Sequence, residues 1–326
     1  MKAQESIEGI PRVPVGRVIE DAFEWLQRVL GGFFDLVKVV GRALFDGLTA
    51  LLTAPPAWLV VVLLALLALL VTRRWSYALG AAVGFLFIVS MNQWEASMAT
   101  LSLVLIAAVV ALLIGIPIGI AAARSETVSA LTRPVMDLMQ TMPAFVWLIP
   151  VVTMFSIGPV PGIVATIIFA LPPAVRLTEL GIRQVDKEVV EAGHAFGAHP
   201  RSILREIQVP LAMPTIMAGV NQVIMLALSM AVIAGLVGAG GLGSQVTTSI
   251  ARLDIGLGFE AGLSVVILAI YLDRLTSAVG RRPAVSRRPR RGARPDAPPA
   301  DEADPPAGPD DRGPEDPVRG DLATTR

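Results

Sequence analysis

EVVEAGHAFGAHPRSILREIQVP, residues 188–210, is a polar island in an apolar chain and holds both of its histidines, His194 and His199. Val185, Val189, Ala192 and Phe196 recur at helical spacing, which predicts a helix over 184–196 with one apolar face. Gly197 is a natural C-terminal breaker. Pro200 holds His199 in extended geometry and suits the first position of a second helix. In that helix Ile203, Leu204 and Ile207 face one way and Arg201, Arg205 and Gln208 another, with Pro210 and Pro214 expected to end it. The predicted unit is a helix–turn–helix with a face free for contact. The two histidines make a poor metal site: on one helix they would point about 140° apart. Gly197 separates them, and Glu191 is the nearest third ligand. His199 is better placed to cap the second helix.

Either side of this stretch the chain is greasy. Its 326 residues are 54% hydrophobic and 17% charged, against about 25% charged in soluble domains, so the composition is that of a membrane protein. There is no cysteine, which excludes disulfides, thiolate nucleophiles and cysteine-ligated metals. A spanning helix needs about 20 mostly apolar residues, and seven candidates read out: 57–72, 76–91, 98–122, 135–156, 160–176, 214–236 and 259–277. Pro143, Pro150, Pro172 and Pro173 predict kinks, which a bilayer tolerates only where neighbouring helices or a water-filled path satisfy the freed carbonyls. The fold class expected is an all-α membrane bundle of about seven spans.

Basic residues set its orientation. Arg73 and Arg74, then Arg124 and Arg133, then Arg176, Arg183, Lys187, Arg201 and Arg205, then Arg274, Arg281 and Arg282 fall on one face if the chain crosses seven times. The connections 92–97 and 157–159 have no basic residue, and 237–258 has only Arg252. The N-terminus is then outside, and the C-terminus and residues 188–210 are cytoplasmic. No cleavable signal segment is evident.

Three parts follow: residues 1–54, 55–280 and 281–326. In the first, Leu26, Leu30, Phe33, Val37, Val40, Leu44, Leu48 and Leu51 lie opposite Asp21, Glu24, Arg28, Asp35, Lys38, Arg42 and Asp46 on a helical wheel. This amphipathic helix, with a bend expected at Gly31–Gly32, suits either packing on the protein or lying in the membrane interface. In the third, ten prolines among many Arg, Asp and Glu predict disorder in a tail that begins basic, against the inner leaflet.

No lysine stands in a G-x-x-x-x-G-K-[ST] loop, so the chain carries no P-loop. Gly238-Ala239-Gly240-Gly241-Leu242-Gly243 satisfies G-x-G-x-x-G but follows a membrane span, where a re-entrant turn with close backbone packing accounts for it better than a nucleotide. Ionisable residues are nearly absent from the spans, and Asp137, Asp273 and Glu260 lie near their ends. A proton relay is therefore not expected, and the energy must arrive from outside the bundle. Gln140, Thr141, Asn221, Gln222 and Ser229 are candidates for lining a path, or for interhelical hydrogen bonds.

The stretch 188–210 resembles the EAA loop of binding-protein-dependent ABC importer permeases: Glu191, Ala192, Gly197, Ile207 and Pro210 match its pattern in register. Gly193 stands where Ala is usual and Val209 where Leu is usual. MQTMPAFVWLIPVV (139–152), LPPAVRLTELGIRQV (171–185) and PLAMPTIMAGVNQVIMLALSM (210–230) are similar to the glycine betaine/proline betaine branch of osmoprotectant permeases. The resemblance spans roughly residues 57–282 and implies a type I ABC importer permease fold. It further implies a coupling helix within 184–212, carried by Glu191, Ala192, Gly193, Phe196, Gly197, Ala198, Arg201, Arg205, Ile207 and Pro210, that seats in an ATPase subunit. The implied partners are a second permease copy, two cytoplasmic ATPase subunits holding ATP and Mg, an extracellular substrate-binding protein and the bilayer. No nucleic acid, metal or cofactor bound by this chain is expected, and the subunit itself is not an enzyme. Choline, carnitine, methionine or phosphonate remain alternative solutes, and an ion-coupled secondary carrier is the rival from another class.

Overall fold

The computed structural model describes residues 15–280, so the expectations for residues 1–14 and for the tail at 281–326 lie outside the described residues. All regular structure among the described residues is helical. The helices are α1 Val15–Thr53, α2 Ala57–Thr72, α3 Trp75–Ser90, α4 Trp94–Arg124, α5 Glu126–Thr141, α6 Ala144–Phe155 and α7 Pro159–Arg183. After them come α8 Lys187–Ala195, α9 Pro200–Ser202, a π-helical turn Ile203–Gln208, α10 Val209–Ala234, a 3₁₀ turn Gly235–Val237, α11 Gly241–Arg252 and α12 Ile255–Gly280.

Four helices are long and apolar enough to cross a membrane: α4, α7, the run Pro200–Val237 and α12. Two bent pairs, α1 with α2 and α5 with α6, raise the number to six if each pair is one span. The seven expected segments are thus not seven plain spans. At 16 residues, α2 and α3 reach about 24 Å each, short of a ~30 Å hydrocarbon core. The predicted span 135–156 is broken by 98° between α5 and α6. Pro143 supplies the break with a polyproline-like backbone, φ −54° and ψ 137°. Pro150, Pro172 and Pro173, by contrast, sit inside helices that continue through them.

At the centre α4 packs on α7 and α7 on α10, and small residues set how closely. A Cβ added at Gly115 would lie 2.5 Å from Ala174 Cβ, and one at Gly119 2.6 Å from the Val175 carbonyl oxygen. In lipid there is little hydrophobic gain from pressing one apolar helix on another, so close van der Waals approach of this kind does the work. A larger core of Phe85, Ile88, Met98, Leu101, Val104 and Leu268 ties α3, α4 and α12 together.

The bundle has two chemically distinct ends. At one, Arg74 and Arg274 flank the Tyr77 ring, Arg183 reaches both Glu126 and the Ala122 carbonyl, and Asn221 meets Asp273. At the other, the Gly158 N–H donates to the Val237 carbonyl at 3.3 Å and the Leu242 N–H to Thr100 Oγ1 at 2.8 Å. The basic connections therefore share one end and the basic-poor connections the other.

α1 turns by 101° into α2 and runs alongside α4, α6 and α7. Its helical geometry lapses at Leu30, one residue before the Gly31–Gly32 pair. Phe34, Val37 and Phe45 pack inward, and Lys38 Nζ donates to Ser156 Oγ at 3.3 Å. Trp25, Val29, Phe33, Val40, Leu44 and Leu51 remain exposed. Packing on the protein thus accounts for one flank of the apolar arc and leaves the other uncovered.

Candidate functional site: the 186–210 hairpin

Residues 186–210 fold into a short helical hairpin at the basic end. The Asp186 side chain accepts from the Glu188 N–H at 3.0 Å and starts α8. The helix stops at Gly197, whose φ is +75°. There the Ala198 N–H reaches the Gly193 carbonyl at 3.1 Å and the Gly197 N–H the His194 carbonyl at 2.9 Å, the two bonds of a Schellman stop. His199 Nδ1 then accepts from the Arg201 N–H at 3.2 Å, the capping role expected of it, with Pro200 in the first turn. Among the described residues no three His, Asp or Glu side chains converge on a metal-sized site.

The apolar faces differ from the expected ones. Val185 is buried, but Val189 is 41% and Phe196 91% exposed; Val190 and Gly193 turn inward instead. Ile203 and Ile207 close the hairpin over Gly193, where an added Cβ would lie 3.3 Å from Ile203 Cγ1 and 3.2 Å from Ile207 Cδ1. Alanine at 193 would need both isoleucines to give by a few tenths of an ångström. Val190 and Leu204 anchor the base against Ile182, Val185, Ala212 and Ile216.

Pro210 and Pro214 do not end the second helix, contrary to expectation. The run Pro200–Val237 is continuous over 38 residues. Pro210 has no N–H to offer the carbonyl four residues back, and the chain widens into the π turn at 203–208, where the Val209 N–H reaches the Leu204 carbonyl.

Outward, the hairpin presents Glu191, Ala192, Phe196, Gly197, His199, Arg201 and Arg205, with Ala198 and Ile207 half-covered and Pro210 exposed at the base. Among the described residues Glu191, Arg201 and Arg205 have no ion-pair partner. Phe196 is thus nearly bare beside unpaired charges, and burying one such ring is worth about 1.5–3 kcal/mol.

The path candidates separate. Asn221 Nδ2 donates to Asp273 Oδ1 at 3.0 Å and its Oδ1 accepts from Thr276 at 2.7 Å, so it joins α10 to α12. Gln222 and Ser229 fall on another face of α10, an exposed stripe through Leu211, Pro214, Ala218 and Met225. Gln140 and Thr141 are exposed at the α5–α6 break.

One cluster went unnoticed in the sequence. Glu179, 8% exposed, is the one buried carboxylate among the described residues. It accepts from Ser129 Oγ at 2.7 Å and pairs with Arg183 Nε at 3.0 Å and Arg133 at 3.5 Å, while Arg183 also holds Glu126. The network fixes α5 to the last turn of α7, directly before the hairpin. Its sequence signal was the i,i+4 pair Glu179/Arg183; Ser129 and Arg133 are contributed by a different helix. Glu179→Ala should lower stability by about 2 kcal/mol, less than a fully buried pair because Arg133 is largely exposed. A thermal melt of the purified protein checks this, and an unchanged Tm would show the network to be inert.

The polar hairpin thus lies between α7 and the run Pro200–Val237, two of the helices long and apolar enough to cross a membrane. The chain matches the family of binding-protein-dependent transport system inner membrane components over residues 115–285 and belongs to that family. It is 44% identical over 273 residues to the glycine betaine transport system permease protein OpuAB of Bacillus subtilis, covering 84% of this chain and 96% of that one. To the glycine betaine/proline betaine transport system permease protein ProW of Escherichia coli it is 46% identical over 271 residues, 82% of this chain and 76% of that one. The inward-facing MetNI methionine ABC transporter shares its fold, with a TM-score of 0.50 and 22% identity over 56% of this chain and 91% of that one. The protein is a multi-pass permease subunit of the inner membrane.

Proposed function

We propose that this permease carries glycine betaine, proline betaine or closely related compatible solutes inward, driven by ATP hydrolysed on partner subunits. The observation that supports this most is the high identity to betaine permeases along more than four-fifths of the chain. Two copies form the pathway, with Gln140, Thr141, Gln222 and Ser229 on the facing surfaces. Two cytoplasmic ATPases, which hold ATP and Mg, take the 188–210 hairpins through Glu191, Ala192, Phe196, Gly197, Arg201 and Arg205. An extracellular binding protein delivers the solute to the opposite end. The N-terminus is outside and the C-terminus cytoplasmic.

The mechanism asks little chemistry of the chain itself. A hairpin anchored through Val190 and Leu204 moves with the helices at its base. Closure of the ATPases is thereby converted into opening at the far end. A conformational switch of this kind needs only that ATP favour one state by a few kcal/mol.

The test is uptake of labelled glycine betaine into vesicles holding the permease, its ATPase and its binding protein. ATP-dependent accumulation, competed by proline betaine more strongly than by choline or carnitine, is expected. Accumulation driven by an ion gradient without the ATPase would overturn the reading.

A further inference from the structure

We infer that the cleft between α3 and α12 at the basic end of the bundle holds one anionic phospholipid, its phosphate between Arg74 and Arg274 and an acyl chain along the cleft. The inference requires only that the bundle spans a bilayer, not that it carries a particular solute.

The cleft encloses about 210 Å³ and is walled almost wholly by apolar atoms. Its floor is made narrow-waisted by small residues: Ala68 of α2, and Gly80, Ala81 and Gly84 of α3, face Ile267 and Ile270 of α12. Between Tyr77 and Phe85 it follows α3 for about 12 Å at 1.5 Å per residue. Beside Gly80 it is open, since a Cβ there would meet nothing within 4 Å; at Gly84 it pinches, where a Cβ would sit 2.9 Å from Ile267 Cγ2. An open, apolar slot on the flank of a membrane bundle is bathed in lipid tails, so its occupant is drawn from the bilayer.

Its mouth selects the headgroup. Tyr77 and Arg274 line the entrance, and the Arg74 and Arg274 guanidinium carbons each stand 5.9 Å from the Tyr77 ring centroid. Among the described residues Arg274 pairs with one carboxylate, Asp273, 3.9 Å from its Nε at the side of the site. It is already engaged by Asn221. The N-terminus of α3 adds to the positive field: it has no side-chain cap and no acid in its first turn. Ser76 lines the mouth, and Trp75, 72% exposed, stands beside it in the manner of an interfacial anchor. Two arginines, free helix N–H groups and a hydroxyl bring positive charge and hydrogen-bond donors to one place, and a phosphodiester meets them while its tail enters the slot.

The full-length protein, purified in mild detergent and mixed with phosphatidylglycerol or phosphatidylcholine, is examined by native mass spectrometry. One phosphatidylglycerol should be retained in preference to phosphatidylcholine. The Arg74→Gln/Arg274→Gln double variant should lose roughly thirtyfold in that preference, each arginine contact contributing about a factor of five. Gly80→Leu should exclude both lipids from the cleft, and excess inorganic phosphate should not displace phosphatidylglycerol. The basic tail is common to all variants, so differences among them report on the cleft. Equal retention of the two lipids by the unmodified protein, full retention by Gly80→Leu, or displacement by phosphate alone would each overturn the assignment. If the double variant does not purify as one species, Gly80→Leu decides.

Discussion

Replacing Gly235 by alanine is expected to prevent this bundle from assembling. The new methyl carbon would lie 2.1 Å from the Gly243 carbonyl carbon, 2.4 Å from its oxygen and 2.5 Å from the Ser244 nitrogen. These are backbone atoms, so no change of rotamer relieves the overlap. The approach is mutual, because a Cβ on Gly243 would meet the Val232 carbonyl oxygen at 2.5 Å. Here the top of α10 and the start of α11 cross with main chain against main chain, which is what the glycine run was expected to allow. Overpacking a core usually costs about 1–3 kcal/mol, and an overlap with fixed backbone should exceed the top of that range, against a total stability of about 5–15 kcal/mol. The measurement is the yield of monodisperse protein and its Tm. Gly47→Ala is the control, since its Cβ meets nothing within 4 Å on α1. Similar behaviour of the two variants would refute the close crossing.

The second large effect is functional. Glu191→Lys should cut ATP-driven uptake by roughly thirtyfold or more, the cost of turning an interfacial attraction into repulsion, while leaving Tm within a few degrees. Glu191 is exposed and has no ion-pair partner among the described residues, so the fold loses nothing with it. Gly197→Val acts by another route: φ of +75° is strained for a β-branched residue, and adopting a different φ would open the turn that orients Phe196. Uptake should fall while ATP hydrolysis by the partner continues. Normal uptake in both variants would remove residues 188–209 from the coupling step.

What could be read in advance here follows from the range of each interaction. The hairpin was legible because its breakers act locally: Gly197 needs only its own φ, and the Schellman bonds and His199 cap span six residues or fewer. Its faces were less so. Val189 and Phe196 have the periodicity of a buried stripe, yet the hairpin packs through Val190 and Gly193, because the position of the second helix decides which side is covered. Proline was misleading in both directions. Pro143 breaks a predicted span outright, whereas Pro210 and Pro214 lie in a helix that passes through them, the first with the help of a wide turn. Spacing along the chain does not reveal whether a neighbour can absorb a missing hydrogen bond. The Glu179 network and the α4–α7 contact at Gly115 and Gly119 join residues about 50 or more positions apart, beyond any local pattern.

The unbroken run from Pro200 to Val237 has a mechanical meaning. The 26 residues of α10 within it, at 1.5 Å each, make a shaft about 39 Å long. One end is folded into the hairpin, and the other is tied to Gly158 through the Val237 carbonyl. A tilt of about 8° on such a shaft displaces its tip by about 5 Å, close to one helical turn. The widened turn at 203–208 sets the rotational phase between handle and shaft, since one residue more or less there would swing the handle by about 100°. In the proposed coupling the chain acts as a lever whose gearing is a single extra residue of backbone.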